Sequence, residues 1–139
     1  LEITEQEGEE KVGIGTISIV ERQSLQELIK KVKEAFCVKQ VMVYCDDLQK
    51  AVERIAISPG SGRSMIDEAV KKKVDVLITG DIGHHEGLDA KEQGLAIIDA
   101  GHYGIEQIFI SYMEQQLKKD WKGQLEIETY YDGCPFLIV

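Results

Sequence analysis

Between residues 54 and 118 short apolar runs and amphipathic runs take turns along the chain, and this alternation constrains the fold more than any other feature. "RIAIS" (54–58), "VDVLITG" (74–80) and "LAIID" (95–99) are rich in β-branched residues. A helical pattern through Met65, Ile66, Ala69 and Val70 separates the first two. "GLDAKEQG", closed by Gly94, separates the second pair. Strand and helix in alternation predict βαβ units and a parallel sheet, because parallel neighbours need a crossover that a helix supplies. The fold class expected is α/β: a three-layer sandwich with a mostly parallel or mixed sheet flanked by helices.

The flanks extend that plan. "KVGIGTISIV" (11–20) reads as a strand through Val12, Ile14, Ile17 and Ile19, with Gly13 and Gly15 loosening its start. "SLQELIKKVKEAF" opens on Ser24 with Glu27 three residues on, a capping box. Leu25, Leu28, Ile29, Val32 and Phe36 then recur at helical spacing. "VMVYC" (41–45) is a short strand, a long helix is expected over about 102–118, and strands are expected near 124–130 and 135–139. "PGSGRS" (59–64) reads as a glycine-rich turn between strand and helix. Such a turn either holds a phosphate on free backbone N–H groups of Gly60, Ser61 and Gly62 or simply permits a tight bend.

With 139 residues, 43% hydrophobic and two prolines, the chain can build one packed core. The balance of 25 acidic to 16 basic residues, a net charge of −9, argues against general nucleic-acid binding, which depends on neutralising phosphates. No apolar run is long enough for a membrane span and no segment resembles a signal peptide. Cys37, Cys45 and Cys134 are odd in number with no Cys-x-x-Cys spacing, so they read as reduced and mostly structural. A cytoplasmic protein without nucleic-acid or membrane partners is expected.

Chemistry-bearing residues concentrate in "GDIGHHEGLDAKEQGLAIIDAGHYGIE" (80–106), which holds all three histidines, His84, His85 and His102. On a helix, His102 and Glu106 lie about 40° apart, on the face that also carries Ile105, Phe109, Tyr112 and Met113. An acid on an apolar face needs a partner. The pair can converge on one cation, or it can sit at an exposed helix start whose positive dipole favours a glutamate. Asp81 follows the 74–80 strand as His102 follows the 95–99 strand, so both emerge at the carboxyl edge where open α/β sheets place ligands. If those strands are neighbours, Asp81 and His84 or His85 can approach His102.

"ISPGSGRSMIDEA" followed by "VDVLITGDIGHHEGLDAKEQGLAIIDAGHYGIE" resembles the carboxyl-terminal half of the Nif-three-like family, whose members are also named GTP cyclohydrolase I type 2 homologues. "VGIGTI" and the terminal "PFLIV" fit as well, so the likeness covers about residues 11–139. The resemblance implies toroidal hexamers of α/β subunits with a dinuclear divalent-metal site (Zn, Fe or Mn). His102 and Glu106 match the ligand pair of the carboxyl-terminal half. Asp81 and His85 match residues lining the same cavity, and His84 stands beside them. The family's other ligands, a His-His pair and an Asp, belong to an amino-terminal half. His84-His85 is not that pair, because it follows the "TGD" strand. A chain that starts at Leu1 is therefore expected to be a single α/β domain, 1–139, forming the carboxyl-terminal part of a longer protein. The resemblance implies a divalent-metal-dependent hydrolase acting on a nucleotide or another phosphate-containing small molecule. The alternative is a non-catalytic metal-binding or protein-interaction module. A homo-oligomer is expected in either case, and no catalytic residue is assigned.

Overall fold

The computed structural model describes residues 2–7 and 10–134, with side chains from residue 13 onward. In chain order the elements are β1 (Glu2–Glu7), β2 (Glu10–Ile14), β3 (Thr16–Ser24), α1 (Leu25–Ala35), β4 (Met42–Tyr44), β5 (Ala51–Ser61), a 3₁₀ turn (Arg63–Met65), α2 (Ile66–Lys71), β6 (Val76–Gly80), α3 (His84–Glu92), β7 (Ala96–Asp99), α4 (His102–Glu106) and α5 (Ile108–Trp121). β1 and β2 form an antiparallel pair of their own. The other five strands form one mixed sheet in the order β3-β5-β6-β7-β4.

As the alternation requires, β5, β6 and β7 are adjacent and parallel, while β3 and β4 run antiparallel to their neighbours at the two edges. Every residue of β6 and β7 is buried, which is why these strands read as unbroken apolar runs. Their side chains alternate between two cores. Val76, Ile78, Ala96 and Ile98 pack with Leu25, Leu28 and Val32 of α1 and Ile105 of α4. Leu77 and Ile97 pack with Ile66 and Ala69 of α2 and Ala90 of α3. The sheet is thus the middle of three layers. The capping box of α1 is complete: Glu27 N–H donates to Ser24 Oγ (3.2 Å) and Ser24 N–H donates to Glu27 Oε2 (2.9 Å).

Four local expectations change. The 11–20 run is two strands in two sheets, divided at Gly15, whose φ of +69° turns the chain. β5 continues through Pro59 and Gly60 to Ser61, which pairs with Gly80 beyond an irregularity in register. The glycine-rich segment is therefore the end of a strand rather than a free turn, and Gly60 takes a φ of +68° within it. The long helix breaks at Gln107. α4 packs on β5 and β6, whereas α5 buries none of its residues. Consequently Ile105 points into the core (2% exposed) but Phe109 (62%) and Tyr112 (57%) face outward. The apolar face of this helical region is core-facing only in its first turn. Residues 124–130 form no strand; they run as irregular chain after the left-handed Lys122 and Gly123. The strand expected over 135–139 lies outside the described residues.

Candidate functional site

The site is built at two neighbouring strand ends. β6 ends at Gly80, and a Cβ there would stand 2.7 Å from the His102 backbone nitrogen, so only glycine lets the two junctions touch. Asp81 follows in the left-handed region (φ +56°), a conformation that costs a non-glycine residue energy unless neighbours hold it. The neighbour is Asp99, the last residue of β7 and the one buried acid among the described residues. Its Oδ1 accepts from the N–H groups of Asp81 (3.2 Å) and Gly101 (2.8 Å), and its Oδ2 accepts from Ile82 N–H (2.9 Å). One carboxylate therefore fixes the loop leaving β6 and the loop leaving β7 together.

That brace brings three functional side chains into line. Asp81 Oδ2 lies 2.9 Å from His102 Nδ1, and Glu106 Oε1 lies 3.1 Å from His102 Nε2. All three side chains are about half exposed. A neutral imidazole has one N–H to donate, yet here both ring nitrogens face carboxylate oxygens. Either the ring is an imidazolium serving both acids, or one nitrogen lone pair faces an anion and a cation between them relieves the repulsion. The donor set suits the second case. An imidazole nitrogen and a carboxylate oxygen converge one helical turn apart, and the other ring nitrogen is held by a carboxylate, as metal-bound histidines commonly are. Among the described residues, no group of three or more His, Cys, Asp or Glu side chains is placed to hold a metal ion.

Of the residues singled out by sequence, Asp81, His102 and Glu106 come into contact. His84 and His85 do not join them. Both open α3 rather than a loop, both are exposed, and their rings meet edge-to-face with centroids 5.4 Å apart. Gly60 does reach the site: a Cβ on it would lie 3.0 Å from Glu106 Oε1 and 3.7 Å from His102 Nε2. Ser61 is exposed, and Gly62 abuts the buried Thr79, whose hydroxyl donates to the Gly60 carbonyl (3.3 Å). Sequence reading passed over Asp99 and Thr79. Each is a polar residue in or next to the last position of an otherwise apolar strand, and that was the available signal. Beyond Glu106 a groove of 750 Å³ opens between Pro59, Ile105, Phe109, Tyr112 and Gln115. The cysteines stand apart from the site; Cys37 and Cys134 are exposed, and burial followed by Asp46 and Asp47 raises the thiol pKa of Cys45. None forms a disulfide.

Fold and site together define an α/β protein carrying a carboxylate–imidazole–carboxylate line at the carboxyl edge of its parallel strands. The family model described as Duf34/NIF3 (NGG1p interacting factor 3) matches residues 1–132, and the chain belongs to that family. It is 42% identical over 113 residues to a protein of Streptococcus pneumoniae named GTP cyclohydrolase 1 type 2 homolog, covering 79% of this chain and 42% of that one. A protein of the same name from Clostridium acetobutylicum is 38% identical over 109 residues, covering 78% and 40%. The chain thus spans about two fifths of the length of these relatives. Among solved structures, a Bacillus cereus protein related to NIF3 superposes with a TM-score of 0.77 at 29% identity, covering 94% of this chain and 37% of that one. No helix among the described residues is long and apolar enough to cross a membrane.

Proposed function

We propose that His102 and Glu106 are ligands of a divalent cation (Zn, Fe or Mn) and that the protein is a metal-dependent hydrolase acting on a nucleotide or related phosphate-containing molecule. The observation that carries this reading is the imidazole of His102 set between two carboxylates, Asp81 at 2.9 Å and Glu106 at 3.1 Å. Asp81 holds the ring so that Nε2 faces the Glu106 carboxylate. A cation bound there would supply an activated water and a Lewis acid. Two protein donors hold a metal weakly, so the reading includes further ligands, and a second ion, in a longer chain. The names of the relatives, homologues of a GTP cyclohydrolase, support a nucleotide as substrate. Self-association belongs to the same reading. The outward face of α5, with Ile108, Phe109 and Tyr112 exposed, is the kind of apolar patch that a second subunit covers.

The test is bound Zn, Mn and Fe in the purified protein and in His102→Ala, Glu106→Gln and Asp81→Asn variants. This chain is expected to hold metal weakly, and loss of either ligand is expected to remove that binding. Loss of Asp81 is expected to weaken it by about 10- to 100-fold, as for other partners of metal-bound histidines. Equal metal content in wild type, His102→Ala and Glu106→Gln overturns the reading.

A further inference from the structure

We propose that Gly60 is a positioning residue for the His102–Glu106 pair: the space left by its missing side chain keeps both donor atoms open to a cation and to the oxygen that completes its shell. The inference rests on the metal reading above and adds to it a residue of β5. A Cβ at position 60 would stand 3.0 Å from Glu106 Oε1, 3.5 Å from His102 Cε1 and 3.7 Å from His102 Nε2. It would therefore fill the volume beside the two converging donors.

The backbone there cannot readily back away. The Gly60 carbonyl accepts from the hydroxyl of fully buried Thr79, and Gly62 is pressed against the same side chain, with its absent Cβ 2.1 Å from Thr79 Oγ1. The group that can yield is the far end of Glu106, whose side chain is half exposed. A methyl at position 60 is thus expected to push the carboxylate aside by a few tenths of an ångström, and so to detune the convergence of the two donors, while the sheet stays folded.

A positive φ of +68° would by itself favour glycine at position 60, so the two causes have to be separated. Gly94 supplies the control, having a φ of +82° with nothing within 4 Å of its absent Cβ. Gly60→Asn supplies the converse case, since asparagine tolerates the left-handed region better than alanine but is larger. The experiment measures Zn affinity by chelator competition. It also records the imidazole ¹⁵N resonances of His102 in metal-free protein, for wild type, Gly60→Ala, Gly60→Asn and Gly94→Ala. Both alanine variants are expected to lose thermal stability. Only the position-60 variants should lose Zn affinity, by tenfold or more, and shift His102 Nε2, with asparagine at least as damaging as alanine. Affinity and resonance in Gly60→Ala matching those of Gly94→Ala, or recovery of both by asparagine, overturns the proposal. If wild type binds Zn no better than His102→Ala, the metal reading fails, and the His102 resonance still decides whether Gly60 positions the pair.

Discussion

Replacing Asp99 by asparagine changes one oxygen for an amine at the point where two loops are fastened. In the wild type Oδ1 receives the Asp81 and Gly101 amides and Oδ2 receives that of Ile82. With the amide oxygen in the Oδ1 position, the new NH₂ faces Ile82 N–H, donor against donor. The buried N–H of Ile82 then loses its acceptor, a loss of about 1–3 kcal/mol. The two remaining bonds become neutral, and charge-assisted bonds are roughly twice as strong as neutral ones, so each weakens by about 0.5 kcal/mol. The sum is about 3 kcal/mol. The opposite amide orientation orphans two N–H groups instead of one and is worse. Urea unfolding should show a lower midpoint at unchanged slope, since the surface exposed on unfolding is the same. Amide exchange should accelerate at Asp81, Ile82 and Gly101 while Leu77 and Ile97, in the middle of the sheet, stay protected. A loss below about 0.5 kcal/mol, within the range of ordinary surface substitutions, would refute the assignment of Asp99 as the brace.

Two further predictions follow from other parts of the molecule. The backbone hydrogen bond from Ser24, then that from its side chain, holds the Glu27 carboxyl below its ordinary value of 4.5. A depressed folded-state pKa means that its contribution is complete above pH 4.5 and is lost as pH falls through the folded value. The gap in melting temperature between wild type and Glu27→Gln should therefore narrow in acid, and a constant gap from neutral pH to pH 3 would contradict it. If α5 carries the proposed self-association, Phe109→Glu on its exposed face should lower the sedimentation coefficient while leaving the melting temperature nearly unchanged, and an unaltered sedimentation profile would remove α5 from that proposal.

The elements that could be read from sequence are those whose cause is local. The capping box and apolar period of α1 lie within thirteen residues, 24–36, and the unbroken apolar runs of β6 and β7 announce strands covered on both faces. The break at Gln107 could not be read, because the helical period continues across it; packing of α4 on β5 and β6 decides where that helix leaves the sheet. "QLEIETY" (124–130) alternates like a strand but has no partner among the described residues, and β-propensity without a neighbouring strand is a weak determinant. In the site, the geometry linking Asp81, His102 and Glu106 was foreshadowed by two junctions on one sheet edge. The approach of Gly60 to Glu106 was not, since it joins residues far apart in sequence where β5 shifts register against β6 and Thr79 bonds the Gly60 carbonyl. The histidines at 84 and 85 cluster with His102 in sequence, yet both open α3 as exposed residues, and the ring contact they make is with each other.

The three-residue edge strand β4 pairs Met42 with Asp99, Val43 with Ile98 and Tyr44 with Ile97. A polypeptide emerging from the ribosome amino end first would hold residues 42–44 idle until the chain past residue 99 has followed. Long-range closure of this kind is slow compared with helix formation. The strand that β4 covers is the one that ends in Asp99, from which both site loops are hung. The sheet edge beside the site is therefore covered by the strand pairing of longest range among the described residues, between a segment made early and one made late.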